Sequence, residues 1–320
     1  MMTGILIALA AGLASATMFA SIVSGALISL VLFYLAPLPL MVAALGWGSA
    51  TALVGGVIAA LGLGLVFGIP YMAAFALTIA LPAWWLGHLT LLARPVSSDP
   101  QLANLAPALD WYPTGRLLAW TALFATLTTI SALLTLGTDA ETINAALRSG
   151  LSRIMGARGT ATGEADRVVD ALVVIAPGAA TIIAMTTLTL NLWLSAKITT
   201  TSGRLKRPWP DLRTTMLPRA ILIVLVVAVA LSFLGGLLAI IAQIASSALL
   251  MAYAVTGFAV LHTVTQAFSG RAFVLVAAYA ATLFIGWPLI GMISLGLADA
   301  VFGIRQAYWA RRGPPPMPMT

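Results

Sequence analysis

The sequence contains no cysteine, which excludes disulfides, thiol catalysis and cysteine-based metal sites. Histidine is almost as scarce: His88 and His262 are the only two, too few for a metal site of their own. Charged residues make up 8% of the 320, against 61% hydrophobic, and mean hydropathy is +1.05. A soluble domain carries about a quarter charged residues, so this composition implies a chain embedded in a membrane. Acids are the scarcest charge, nine against sixteen Lys and Arg, and none falls in the core of an expected span, which removes the usual sign of proton coupling. The chain also lacks a phosphate-binding P-loop, a GxSxG elbow and an HExxH pair. It is therefore not expected to hydrolyse ATP by that route, to be an enzyme, or to carry a metal or cofactor.

What is present is apolar sequence in long blocks. Residues 1–93 carry no ionised side chain other than the titratable His88, and Arg94 is the first formal charge. About 20 apolar residues cross a bilayer, so this block holds four spans, expected near 4–20, 22–36, 47–67 and 71–92, with the first read as a retained span. Breaks are expected over Ser21 to Gly25, at the prolines of Ala36–Leu40 and at Gly68–Ile69–Pro70; one tilted helix over 4–35 is the alternative to the first. Further spans are expected over 117–137, 168–196 and 272–297. The 51 uncharged residues between Arg219 and Arg271 are long enough for two more, with a hairpin near Gly235-Gly236. The fold class is thus all-α, a polytopic transmembrane bundle of eight or nine spans.

The densest basic segment, 197–219, carries Lys197, Arg204, Lys206, Arg207, Arg213 and Arg219 against Asp211 alone. A short basic loop between apolar runs belongs on the cytoplasmic side. Its charge serves topology and anionic lipid rather than nucleic acid, since no basic domain exists. Counting from it places the N-terminus, the 94–116 loop and the Ser269–Arg271 turn inside, and the 138–167 insert outside. Nine spans then put the 299–320 tail outside, although Arg305, Arg311 and Arg312 favour the inside. A re-entrant last span, a different division of 220–270, or a tolerated basic tail would each reconcile the two.

The 94–116 loop has prolines at 95, 100, 107 and 113, with Trp111 and Tyr112 as headgroup-level anchors. In the 138–167 insert, Thr138 followed by Glu141 matches a capping box, and Ile143, Leu147, Leu151 and Ile154 recur at helical spacing. This predicts an amphipathic helix on the membrane surface with Asn144, Arg148 and Ser152 on its wet side, followed by a turn over 156–167. The proline-rich tail that follows LADAVFGIR is expected to be disordered.

Two stripes of small residues lie four apart: Gly4, Ala8, Gly12, Ala16 and Ala20, then Gly48, Ala52, Gly56, Ala60, Gly64 and Gly68. Small residues let helix backbones approach in lipid, where no hydrophobic force drives association. Internal packing is the simpler reading; the first stripe could instead dock a partner helix. Polar residues within spans collect toward one side: His88, Asn191 and His262 end spans there, while Arg116 and Arg219 begin them. Each alone reads as an interfacial residue, and together they suggest a pocket open to the cytoplasm.

The stretches GLASATMFASI, LVLFYLAPLPLMVAALGWG, LPAWWLGHLTLLARP, WYPTGRLLAW, NLWLSAKI with GRLKRPWPDLR, GFAVLHTV and LGLADAVFGIR together resemble the uncharacterised YybS-like predicted membrane proteins in their alphaproteobacterial form. The resemblance covers nearly the whole chain and implies a multi-pass protein of the bacterial inner membrane. That family is grouped distantly with the S components of energy-coupling-factor vitamin transporters. It therefore implies binding or transport of an unspecified small solute with a separate energising membrane partner, Gly4, Ala8, Gly12, Ala16 and Ala20 being the docking face. This chain departs from S components in its greater span number and its polar insert. A non-transporting membrane scaffold or assembly partner is the alternative, and lipid is a partner in either case.

Overall fold

Backbone withdrawn from water must bond to itself, and the apolar blocks accordingly wind into helices. A computed structural model describes residues 2–96, 109–154 and 163–312. The prolines at 100 and 107, the turn residues 156–162 and the tail residues 313–320 lie outside the described residues. The chain forms two compact units, one of residues 1–121 and 187–210, the other of 122–186 and 211–320. Their boundaries fall partly inside helices.

In the first unit, α1 (Met2–Ala20) runs through a 3-10 turn, Ser21–Ser24, and is broken at Gly25, whose φ of +68° suits a residue without Cβ. Next come α2 (Leu27–Leu35) and α3 (Pro37–Trp47), which together make one candidate span, Leu27–Trp47. The expected break at Ala36–Leu40 is therefore a joint within a span, and the span expected over 22–36 is displaced. Pro37 opens α3, where its missing N–H is an orphan in any helix, so the proline redirects the chain without ending the crossing.

Gly48 (φ +104°) and Gly68 (φ +90°) bound α4, Ser49–Phe67. The fourth crossing comprises α5 (Ile69–Phe75), a π-wound segment (Ala76–Ala80) and α6 (Leu81–Thr90). Within it the Leu81 N–H bonds to the Ala76 carbonyl, five residues back. Pro82 follows at once and has no N–H to return to the preceding turn. Two short antiparallel strands, β1 (Ala93–Pro95) and β2 (Leu109–Trp111), pair Arg94 with Asp110 and carry their ion pair at 2.7 Å. The start of α7 (Thr114–Leu134) and the end of α9 (Gly163–Thr201) complete this unit.

In the second unit, the insert forms α8 (Ala140–Ile154). Its cap is Asp139 rather than the expected Thr138: the carboxylate accepts from the Thr142 N–H at 2.9 Å and from the Thr142 hydroxyl. A carboxylate at a helix N-terminus also meets the positive end of the dipole, which a threonine hydroxyl cannot exploit as well. The Thr142 hydrogen bonds hold the Asp139 pKa below its ordinary value. The apolar stripe of α8 is divided. Ile143 is buried with Leu133 and Ile244, with Leu147, Leu237 and Ile240 around them, whereas Ile154 is exposed. Asn144 and Arg148 are exposed and Ser152 half-buried; Arg148 pairs with Asp166 and Asp170 on the first turns of α9.

Helix α9 is 39 residues long, about 58 Å at the standard rise, and keeps Pro177 inside it. It continues at both ends past the span expected over 168–196. Helix α10 (Arg219–Leu231) leads through a turn at Gly235 and Gly236, both with positive φ, into α11 (Gly236–Val264), so the hairpin lies where the glycine pair suggested. Two helices follow, α12 (Arg271–Phe284) and α13 (Pro288–Phe302), bent by 120° at their break. Gly303 (φ +65°) then ends α13 and α14 (Ile304–Arg312) begins.

Seven helices among the described residues are long and apolar enough to cross a membrane, or eight if the bent pair counts as one span. Helix α10, at 13 residues, is about 20 Å long against a hydrocarbon core of about 30 Å, which removes one of the two crossings expected between Arg219 and Arg271. The fold is an all-α polytopic bundle.

Candidate functional site

The residues expected to share a pocket belong to different units: His88, Arg116 and Asn191 to the first, His262 and Arg219 to the second. His88 lies on α6, with its Nδ1 3.4 Å from the Ser49 hydroxyl at the start of α4. Its ring packs by Trp84 and Trp85, whose own indole meets Trp120 edge-on at 5.3 Å. Trp120 Nε1 in turn donates to the Tyr112 hydroxyl at 3.2 Å. Arg116 is exposed at the start of α7, behind Pro113.

Asn191 has a different task. Pro37 and Pro39 remove the amides that would meet the Phe33 and Leu35 carbonyls, and two side chains donate to the adjacent carbonyls of this joint: Asn191 Nδ2 to that of Tyr34 at 2.8 Å, and the Ser15 hydroxyl to that of Ala36. The same Nδ2 also bonds the Thr187 carbonyl of its own helix. Asn191 is buried, and its Oδ1 has no hydrogen-bond partner.

The densest chemistry of this unit lies where the chain turns back after α9. Gly203 adopts φ +66°, and Arg204 places its guanidinium over the Trp47 ring at 4.5 Å. Lys197 lies over Trp209 at 5.3 Å. Arg207, only 7% exposed, donates from Nη1 to the Thr90 carbonyl at 3.2 Å, at the C-terminal end of α6 where the dipole is negative. Burial lowers the Arg207 pKa from its ordinary value, yet a guanidinium remains charged. Lys197, Arg204, Lys206 and Arg207 have no carboxylate ion-pair partner among the described residues. Such an end attracts anions.

In the second unit His262 Nε2 lies 3.1 Å from the Tyr279 hydroxyl, and the Tyr279 ring stacks on Phe258 at 4.5 Å. Arg219 is exposed at the start of α10. Sequence reading missed the strongest polar group here. Asp299 and Arg305 are 3% and 1% exposed; Arg305 bonds Asp299 through Nε at 2.9 Å and Nη2 at 2.7 Å, and its amide bonds Oδ1 at 2.8 Å. The remaining Nη1 reaches the Arg213 and Thr215 carbonyls at 2.7 and 2.8 Å. Gly303, a helix-stop signal between the two partners, was the available clue: a helix ended there turns the following residue back on the last turn. Asp211 pairs with Arg213, whose hydrogen bonds hold the Asp211 pKa below its ordinary value and raise that of Arg213.

The stripe on α1 is filled from within the unit. A Cβ at Gly12 would lie 2.4 Å from the Gly55 carbonyl oxygen, and one at Gly55 2.4 Å from that of Ala8. Gly4 has nothing within 4 Å, and Ala16 and Ala20 are half-buried. On α4, Gly56 faces Ala80 of the π-wound segment and Gly64 faces Met72. A small crevice in the second unit, lined by Ile130, Leu133, Ile143, Leu237, Ile240 and Ile244, is wholly apolar and unsuited to a polar solute.

Neither the curated proteins nor the solved structures include a match to this chain. A family model described as "Predicted membrane protein (DUF2232)" matches residues 12–300. With nearly all of its helices inside that match, the chain belongs to the DUF2232 family of predicted membrane proteins.

Proposed function

We propose that this protein binds a small anionic solute in the membrane and passes it on with a separate energising partner, in the manner of an S component. One observation carries the reading: Lys197, Arg204 and Arg207 are held at one end of the first unit by Trp209, Trp47 and the Thr90 carbonyl, Lys206 lies beside them in the chain, and none of the four has a carboxylate ion-pair partner among the described residues. Cations fixed by aromatic faces and a helix end are pre-positioned, so an anion meets them without having to displace an ion pair. The absence of a P-loop assigns energy supply to another subunit, and the resemblance to S components supports the same division of labour.

The scaffold reading is favoured by a different observation: His88 and Asn191 are engaged with Ser49 and the Tyr34 carbonyl, which makes them structural. The test is thermal stability of the purified protein in nanodiscs against a panel of small mono- and dianions, with mass spectrometry of co-purified molecules. A solute-dependent upward shift that is lost in Arg204→Gln and Lys206→Gln is expected. No shift with any anion and no bound solute, together with a stable protein partner, would sink the solute reading in favour of the scaffold.

A further inference from the structure

The corner between α11 and α12, within the second unit, carries polar side chains that nothing else in the fold uses. Its backbone is tightly wound: the Phe268 amide bonds the Thr265 carbonyl and the Arg271 amide bonds that of Phe268, each at 3.1 Å. The Phe268 ring folds under the turn, where a Cβ at Gly270 would meet it at 2.8 Å. Gln266, just past the end of α11, and Arg271, the first residue of α12, flank this turn, and both are half-buried. Gln266 Nε2 and Arg271 Nε are enclosed with no hydrogen-bond partner. Arg271 has no carboxylate ion-pair partner among the described residues either.

A donor shut away from water without an acceptor forfeits its hydration, and a charged one forfeits more. Two such donors beside one turn therefore call for an acceptor from outside the chain. The neighbouring groups supply none. The charges that reach His262 are those of Arg271 and Arg213, and Arg213 is already paired with Asp211, which leaves Arg271 as the unneutralised cation. One ring nitrogen of His262, Nε2, is engaged with the Tyr279 hydroxyl at 3.1 Å. Helix α12 opens at Gly270, which offers no side-chain cap to its first amides, so the positive end of that dipole is open as well. The negative end of α11 would explain a nearby cation, yet neither Nε nor Nε2 reaches one of its carbonyls.

We propose that this corner is a binding site for an oxyanion of the phosphate type, gripped by Arg271 and Gln266. A guanidinium presents Nε as one tine of a planar fork that takes two oxygens of an anion together. A tetrahedral phosphate has further oxygens out of that plane for the Gln266 amide and the first turn of α12, whereas a carboxylate does not. Phe268 and Phe273, on either side of Arg271, are largely exposed, so the site opens among aromatic rings of the kind found at headgroup level. The phosphate of an anionic phospholipid and a free phosphate share this chemistry. The site uses none of the cations on which the solute reading of the first unit rests.

The test titrates the purified whole chain, in a neutral detergent, with phosphatidylglycerol, with phosphatidylcholine of the same chain length and with inorganic phosphate, following the melting temperature. Phosphatidylglycerol should raise it more than phosphatidylcholine does, and Arg271→Gln should need about tenfold or more of the ligand for the same rise. Gln266→Leu should weaken the response in the same direction and carries the test alone should Arg271→Gln fail to purify. Arg311→Gln, exposed on α14, removes the same charge elsewhere and should titrate as wild type. Arg204→Gln should also keep the wild-type response, which separates failure of this site from failure of the first unit's. A rise with inorganic phosphate too supports the site with a soluble ligand; a rise with the lipid alone assigns it to a headgroup. No rise with either, an equal rise with phosphatidylcholine, or a rise that Arg271→Gln and Gln266→Leu leave unchanged would overturn the proposal.

Discussion

Arg305 meets Asp299 across the glycine stop that separates α13 from α14, using its backbone amide, Nε and Nη2 on one carboxylate while Nη1 reaches two carbonyls of the 211–215 segment. A buried ion pair adds little net stability over an apolar pair, yet losing one partner leaves the other charge stranded, at a cost of about 3–5 kcal/mol. Asp299→Ala should therefore lower the melting temperature in detergent strongly, whereas a double Asp299→Leu, Arg305→Met variant should recover part of that loss. A single variant as stable as wild type would show that the pair is open to water.

How far the sequence spoke depended on whether a signal was local. Gly68 and the Gly235-Gly236 pair mark real breaks between helices, because a positive φ is a property of one residue and its neighbours, whereas Gly48, read as part of a helix face, ends one helix and starts the next. Proline misled at Ala36–Leu40 for a non-local reason: the joint is braced at the Tyr34 and Ala36 carbonyls by Asn191, more than 150 residues away, and by Ser15. Asn191 was legible as a polar residue in a span, but its use as a brace depends on which carbonyl the fold brings to it. Asp299 was counted as tail because it follows the last long apolar run, and only the turn at Gly303 folds Arg305 back to neutralise it. Gly12 and Gly56 pack closely as members of the small-residue stripes, while Gly4 and Gly48 of the same stripes meet nothing within 4 Å, and the identity of the opposing helix, α4 for α1, required the tertiary fold.

The glycine geometry separates positions that composition alone treats alike. Gly12→Leu forces a side chain into the Gly55 backbone, which cannot retreat as a flexible side chain would, while Gly4→Leu meets nothing within 4 Å. Expression and melting temperature should fall sharply for Gly12→Leu and stay near wild type for Gly4→Leu. The same contrast is expected between Gly257, whose Cβ would lie 1.9 Å from the Met292 carbonyl oxygen, and Gly62, which is unobstructed. Equal melting of Gly12→Leu and Gly4→Leu would remove the backbone-contact account.

Acid should act at the joint before α10. The Asp211 carboxyl has its folded pKa lowered, first by the Arg213 side-chain hydrogen bond, so its contribution is present above the unfolded value of about 3.9 and is lost as pH falls through the lower folded value. Asp211→Asn should thus melt below wild type at neutral pH, and the difference should narrow toward zero as the wild-type carboxyl protonates. A gap that stayed constant from pH 7 to pH 3 would point to packing rather than charge.

The π-wound turn at Ala76–Ala80 acts as a phase setter for everything that follows it in the fourth crossing. Each residue of an α-helix advances the azimuth by about 100°, so removing one residue from this turn would swing the face carrying Trp84, Trp85 and His88 by that angle about the helix axis. Trp85 would leave Trp120, His88 would leave Ser49, and the Thr90 carbonyl would turn from Arg207. A single-residue change in length, silent in hydropathy, would thereby uncouple the aromatic cluster and the buried arginine in one step.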